Sequence, residues 1–185
     1  LSLLIKNAVP IDLKQLNGME LFLNNKQQIA AEASNILNIL EKSGKKELKD
    51  LERKIKGFLK EVTDNIKTGR LDPEKTYQQL EKMIKEVGDK VHLLGETERE
   101  AFQKSSENLR DSINLQNQLN KEDVVLQLPI MMDNQLKNLQ IYIMNKKKSS
   151  KKINPNDMSI LLNFDTNNMG NINIYTSVSY KKVFM

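Results

Sequence analysis

Few side chains in this sequence have a type and spacing that could do chemistry. His92 is the single histidine of 185 residues and stands beside Val91, Leu93 and Leu94. It falls near the expected end of a helix, where the helix dipole would favour an imidazolium. A histidine base also needs a nucleophile or an orienting carboxylate. No pattern around His92 supplies one, so it reads as structural. Glu96, Glu98 and Glu100 cluster, but alternate spacing at a helix start spreads them around the cylinder and complements the N-terminal dipole. Capping explains them better than acid–base work. The absence of cysteine removes disulfides, thiolate metal sites and Cys nucleophiles, and a lone histidine cannot build a multi-histidine metal site. There is no Gly-rich phosphate loop, no G-x-S-x-G, no H-E-x-x-H and no EF-hand spacing. The expectation is a non-enzymatic chain with no metal, no cofactor and no small-molecule substrate.

The remaining chemical feature is positive charge. Residues 146–152 carry five lysines in seven positions, enough in principle to displace counterions from a phosphate backbone or approach an anionic membrane. No arginine is present there for bidentate base contacts and no aromatic residue for stacking, so the segment reads as a solvated hairpin loop and a nucleic-acid partner is not expected. The formal charge of +5 adds little, because 21 Asn and 25 Lys against four Arg are what AT-rich codons would produce. Residues 1–121 are nearly balanced, with 21 basic and 19 acidic groups.

The elements that must position these side chains fall into two regimes. Leu48, Leu51, Ile55, Leu59, Val62 and Ile66 step by three and four, which is one face of an amphipathic helix. Thr68-Gly69 stops it, and Asp72-Pro73 restarts the chain with an N-cap and a proline at the first helical position. Tyr77, Leu80, Ile84, Val87, Val91 and Leu94 form a heptad seam that predicts a helix running to Gly95. Thr97 and Glu100 have the form of a capping box for a third helix, with Phe102, Leu109, Ile113 and Leu119 as its apolar face. Upstream, Asp12 can cap a short helix with Leu13, Leu16, Met19 and Leu23. A second short helix carries Ile29, Ala33, Ile36, Leu37 and Leu40 and ends at Ser43-Gly44.

After Lys121 the period becomes two. Residues 124–130, 139–143, 159–164 and 171–178 alternate and are rich in β-branched side chains, which predicts an antiparallel sheet with one buried face and Tyr175 turned to the other. Helices followed by strands read as an α+β chain. Residues 1–44 are set apart as short helices in a small lobe, 45–121 as an antiparallel three-helix bundle and 122–185 as an antiparallel β domain. No run of eighteen apolar residues offers a membrane span, so no membrane insertion is expected, and residues 1–7 lack the order of a signal peptide. A start at Leu1 reads as a fragment of a longer chain.

Residues 126–178 resemble the C-terminal domain of bacterial flagellar hook-length control proteins in their diverged clostridial form. The resemblance is carried by Leu128-Pro129-Ile130, then Leu139-Gln140-Ile141-Tyr142-Ile143, then Ile160-Leu161-Leu162-Asn163-Phe164-Asp165-Thr166 leading into Met169-Gly170 and an alternating strand. Met169 stands where the family usually has Leu, and Gly170 matches. The family's domain continues with a further strand and a helix, so residues 122–185 read as truncated. The resemblance implies a non-enzymatic switch of export specificity in the bacterial cytoplasm, itself exported through the flagellar apparatus, with the flagellar export gate as protein partner. It assigns partner binding to Phe164, Asp165, Thr166, Met169 and Gly170, with Gly170 giving an unusual backbone angle and Met169 closing the core beneath the turn. The alternative is a helical interaction or structural protein of unknown pathway.

Overall fold

The computed structural model describes residues 29–119, 124–145, 156–166, 169–179 and 182–184. Four helices precede a sheet: α1 (Ile29–Lys42), α2 (Lys46–Lys67), α3 (Pro73–Gly88) and α4 (Glu96–Leu119). The strands are β1 (Val124–Met132), β2 (Gln135–Asn145), β3 (Asp157–Thr166), β4 (Gly170–Ser179) and β5 (Lys182–Phe184). They form one antiparallel meander in the order β1-β2-β3-β4-β5. The architecture is α+β. The expected helix with Leu13 and Leu23 and the lysine segment 146–152 lie outside the described residues.

The periodic stripes become the core. Leu48, Leu51, Ile55 and Leu59 of α2 are buried with Tyr77, Leu80, Ile84 and Val87 of α3 and Phe102, Leu109 and Ile113 of α4. Ile29, Ile36 and Leu40 of α1, set apart in the sequence reading, belong to the same cluster. α1 packs against α2, α4, β1 and β2, so the helical layer has four members rather than a bundle of three. Small side chains at Ala30 and Ala33, both buried, suit such close approach.

Local chemistry sets the helix ends. At the end of α2 the Gly69 N–H donates to Ile66 O at 3.1 Å and the Arg70 N–H to Asn65 O at 2.9 Å. This closure needs a left-handed residue, and Gly69 supplies it with φ +67°. Asp72 caps α3 by accepting from the Lys75 N–H at 3.1 Å, and that bond holds its carboxyl below the usual range. Two expectations are corrected. α3 ends at Gly88, not at Gly95, and Val91–Leu93 tighten into a 3₁₀ turn that still delivers Leu94 to the core. Gly and Asp at 88 and 89 are poor helix formers, and a 3₁₀ turn is a frequent end for such a segment. The expected Thr97–Glu100 capping box is displaced: α4 already begins at Glu96, so the cap position falls on Gly95, and Glu98 Oε2, three residues on, accepts from the Gly95 N–H at 3.0 Å, while glycine has no side chain to return the second bond.

β1 and β2 join through a two-residue turn, Asp133 at φ 50° and Asn134 at φ 59°. Two successive positive φ values define the hairpin turn whose twist matches that of the strands. β1 is an edge strand, yet residues 125–130 are all buried. Its outward backbone groups meet helices. The Gln127 N–H donates to Gln116 Oε1 of α4 at 2.7 Å, and its carbonyl accepts from the Tyr77 hydroxyl of α3 at 2.9 Å. The Met131 N–H donates to Thr63 Oγ1 of α2 at 2.8 Å. Pro129 lies between them on the same edge and has no N–H to satisfy.

Burial raises the Tyr77 phenol far above its ordinary range, so it remains a neutral donor. Its proton is held more tightly in the folded chain than in the unfolded one. The resulting stability is intact below the ordinary phenol value of 10.0 and is lost as pH rises above it. Tyr77→Phe is expected to lower stability at pH 7 by about 1–3 kcal/mol by leaving the Gln127 carbonyl unpaired. It should also flatten the alkaline decline, which one linked proton makes as steep as about 1.4 kcal/mol per pH unit. Urea titrations from pH 7 to 12 check both, and equal curves for the two proteins would refute the assignment. Leu80→Asp should abolish the cooperative melt by burying an unpaired carboxylate at a cost of several kcal/mol; an unchanged helical circular dichroism melt would refute it.

Candidate functional site

The residues assigned to partner binding lie in the β3–β4 hairpin, away from the helices. β3 and β4 pair from Asp157 with Ser179 to Thr166 with Gly170. Thr166 organises the turn: its Oγ1 accepts from the Met169 N–H at 3.0 Å and donates to Gly170 O at 3.0 Å. Gly170 sits at φ +69°, so the expected backbone angle is present. A Cβ built there meets nothing within 4 Å, which makes conformation the whole reason for glycine. Met169 is the correction: it is 74% exposed and closes no core. Gly170 and Asn171 beside it are exposed as well, and no described residue of β4 is buried, so there is no core at this end of the hairpin for Met169 to close.

Asp165 is exposed and accepts from Asn171 Nδ2 at 2.9 Å. Phe164 points to the other face and packs half-buried against the edge of the core. The hairpin therefore splits the five residues. Phe164 belongs to the apolar face, Asp165 to the polar face, and Thr166, Met169 and Gly170 to the tip.

The strand register gives those faces a pattern that runs across the sheet. Leu128, Leu139, Phe164 and Ile172 stand opposite one another in successive strands, as do Leu126, Ile141, Leu162 and Ile174. On the other face the rung is Gln127, Gln140, Asn163 and Asn173. Directly opposed side chains on one face interact. At the outer end Asn163 Nδ2 donates to Asn173 Oδ1 at 2.6 Å and to Asn171 Oδ1 at 2.9 Å. At the inner end Gln127 and Gln140 are buried, and Gln127 Oε1 accepts the Ile29 N–H at 3.4 Å. Burial declines outward, and no described residue of β4 is buried.

A cleft of ≈ 400 Å³ lies between the last turns of α2 and the β1–β2 hairpin, lined by Thr63, Ile66, Ile130, Met131, Met132 and Leu139 among others. Leu139 is the cross-strand partner of Phe164, so this cleft adjoins the apolar face of the hairpin. Sequence reasoning did not select its lining. The available signal was the pair Met131-Met132 before the turn, flexible side chains common at adaptable surfaces. His92 is exposed. Among the described residues no group of three or more His, Cys, Asp or Glu side chains could hold a metal ion.

Gly170→Val should destabilise the hairpin, since a β-branched residue at positive φ costs about 1–2 kcal/mol, whereas Gly170→Asn should lose less than half as much. Chemical denaturation of both variants checks the order; equal losses would show that space, not conformation, dictates glycine. Compared with known protein families, with characterised proteins and with solved structures, the chain finds no match.

Proposed function

We propose that this chain acts without catalysis as a flagellar hook-length control protein, switching the specificity of type III export by contact between the outer sheet and a protein partner, the flagellar export gate. The observation that carries the reading is the β3–β4 hairpin. Its Thr166–Gly170 turn has glycine at φ +69°, at the position where the resemblance expects it, on strands whose side chains are largely free of the core. The helices then act as support. They meet β1 and β2, and the outer strands stay available for contact. Among the described residues no helix is long and apolar enough to cross a membrane, which fits contact from outside the bilayer.

The proposal has a cellular test. In a motile host, deletion of residues 122–185 should give overlong hooks without filaments, and the intact chain should co-purify with the cytoplasmic part of the export gate. Normal hooks and filaments after the deletion would reject the flagellar reading and leave a helical interaction protein of another pathway.

A further inference from the structure

Four buried amides carry polar atoms that no protein group answers: Gln116 and Gln127 are 0% exposed, Gln140 3% and Asn138 6%. Among the described residues Gln116 Nε2, Gln127 Nε2 and Gln140 Nε2 have no acceptor, and neither Nδ2 nor Oδ1 of Asn138 has a partner. Turning the glutamine amides over does not help. Gln116 Oε1 already accepts from the Gln127 N–H at 2.7 Å, Gln127 Oε1 from the Ile29 N–H at 3.4 Å and Gln140 Oε1 from the Tyr142 hydroxyl at 3.4 Å. A swap would break a made bond and set an amino group against a donor. An unmet polar group in the interior costs more than a made bond gains, and four such amides would take a large share of a domain's stability.

The amides lie together. Gln127 of β1 and Gln140 of β2 are directly opposed, which sets their Cβ atoms about 4.5–5.5 Å apart on one face. Asn138 is two residues from Gln140 and shares that face. Opposite it stands Pro129, which has no polar side chain. Gln116 reaches the same place from α4 through its bond to the Gln127 N–H. We infer that this cluster binds buried water, which accepts from the amino groups of Gln127 and Gln140 and donates to Asn138 Oδ1. The surplus of donors excludes a cation. An anion would accept from them, but no cationic side chain among the described residues is buried to balance its charge. Water is neutral, both accepts and donates, and is held by two to four polar partners, which these side chains supply. The site is independent of the proposed flagellar role.

Magnetic resonance on the intact chain, labelled with nitrogen-15, tests the site. The side-chain amino protons of Gln127 and Gln140 should show cross-peaks to water whose signs in the laboratory and rotating frames mark a long-lived contact rather than proton exchange. No such peaks, or exchange peaks alone, with the neighbouring backbone protons of β1 and β2 observed, would overturn the proposal and give the amides an acceptor within the chain. Asn138→Leu decides by the sign of its effect. It keeps the branching of the side chain and removes both unanswered atoms, so without water it should raise the folding equilibrium constant. With water held on Oδ1 it should lower that constant about tenfold, the scale of one buried hydrogen bond, and weaken the water peaks of Gln140. Urea titration of the two proteins reads the difference, and a rise or no change overturns the site.

Discussion

The outer backbone edge of β1 is the constraint on which the rest of the arrangement depends. A buried strand edge carries donors and acceptors that water cannot reach, and leaving one unpaired costs more than making the bond gains. Here three such groups are answered, each from a different helix: the Gln127 N–H by Gln116 of α4, the Gln127 carbonyl by Tyr77 of α3, and the Met131 N–H by Thr63 of α2. Thr63 also donates to Leu59 O at 2.9 Å, so its hydroxyl ties the α2 backbone to the strand. Three helices must therefore sit at a defined height along β1. A rotation or slide of any one would bury apolar surface equally well and still strand a polar group.

From that edge the molecule grades outward. The helical core closes over β1 and part of β2, where Leu126, Leu128, Ile130 and Leu139 join it. Beyond β2 the same two rungs continue, one apolar and one of amides, but the helices no longer accompany them. β3 and β4 are held by their ladders and by polar cross-strand pairs such as Tyr175 with Ser159 at 3.0 Å. A sheet anchored at one side and free at the other suits a contact surface, because the anchored strands keep the free ones rigid while their side chains stay available. The amide rung also fixes register. A one-residue slip would move glutamine and asparagine to the apolar face and isoleucine to the polar one.

Where local chemistry alone decides a feature, it is legible. Left-handed glycines at Gly44, Gly69 and Gly170 stand where a helix stops or a hairpin turns, since no other residue takes that backbone angle so cheaply. Asp72-Pro73 begins a helix because its capping partner is three residues away. The Leu48–Val62 and Tyr77–Val87 stripes and the alternation in 124–130 and 171–178 are legible for the same reason: periodicity records which side faces inward.

What sequence by itself determined is thus the element types, most of their ends and their inward faces, all consequences of interactions within four residues or of a simple period. Tertiary structure alone decided what those faces meet. Tyr77 reads as one more apolar member of a stripe, and its hydroxyl finds its partner 50 residues away in the edge of β1. The 29–42 helix reads as separable, and only packing against α4, β1 and β2 brings it into the common core. Met169 reads as closing the core beneath the turn, and it is exposed because the strand it leads into carries no buried residue. Hydrophobic burial is non-directional, so a stripe records the wish to be covered without naming the cover. The directional part, hydrogen bonds to one strand edge, selects among the covers, and it exists only once the chain has brought distant segments together.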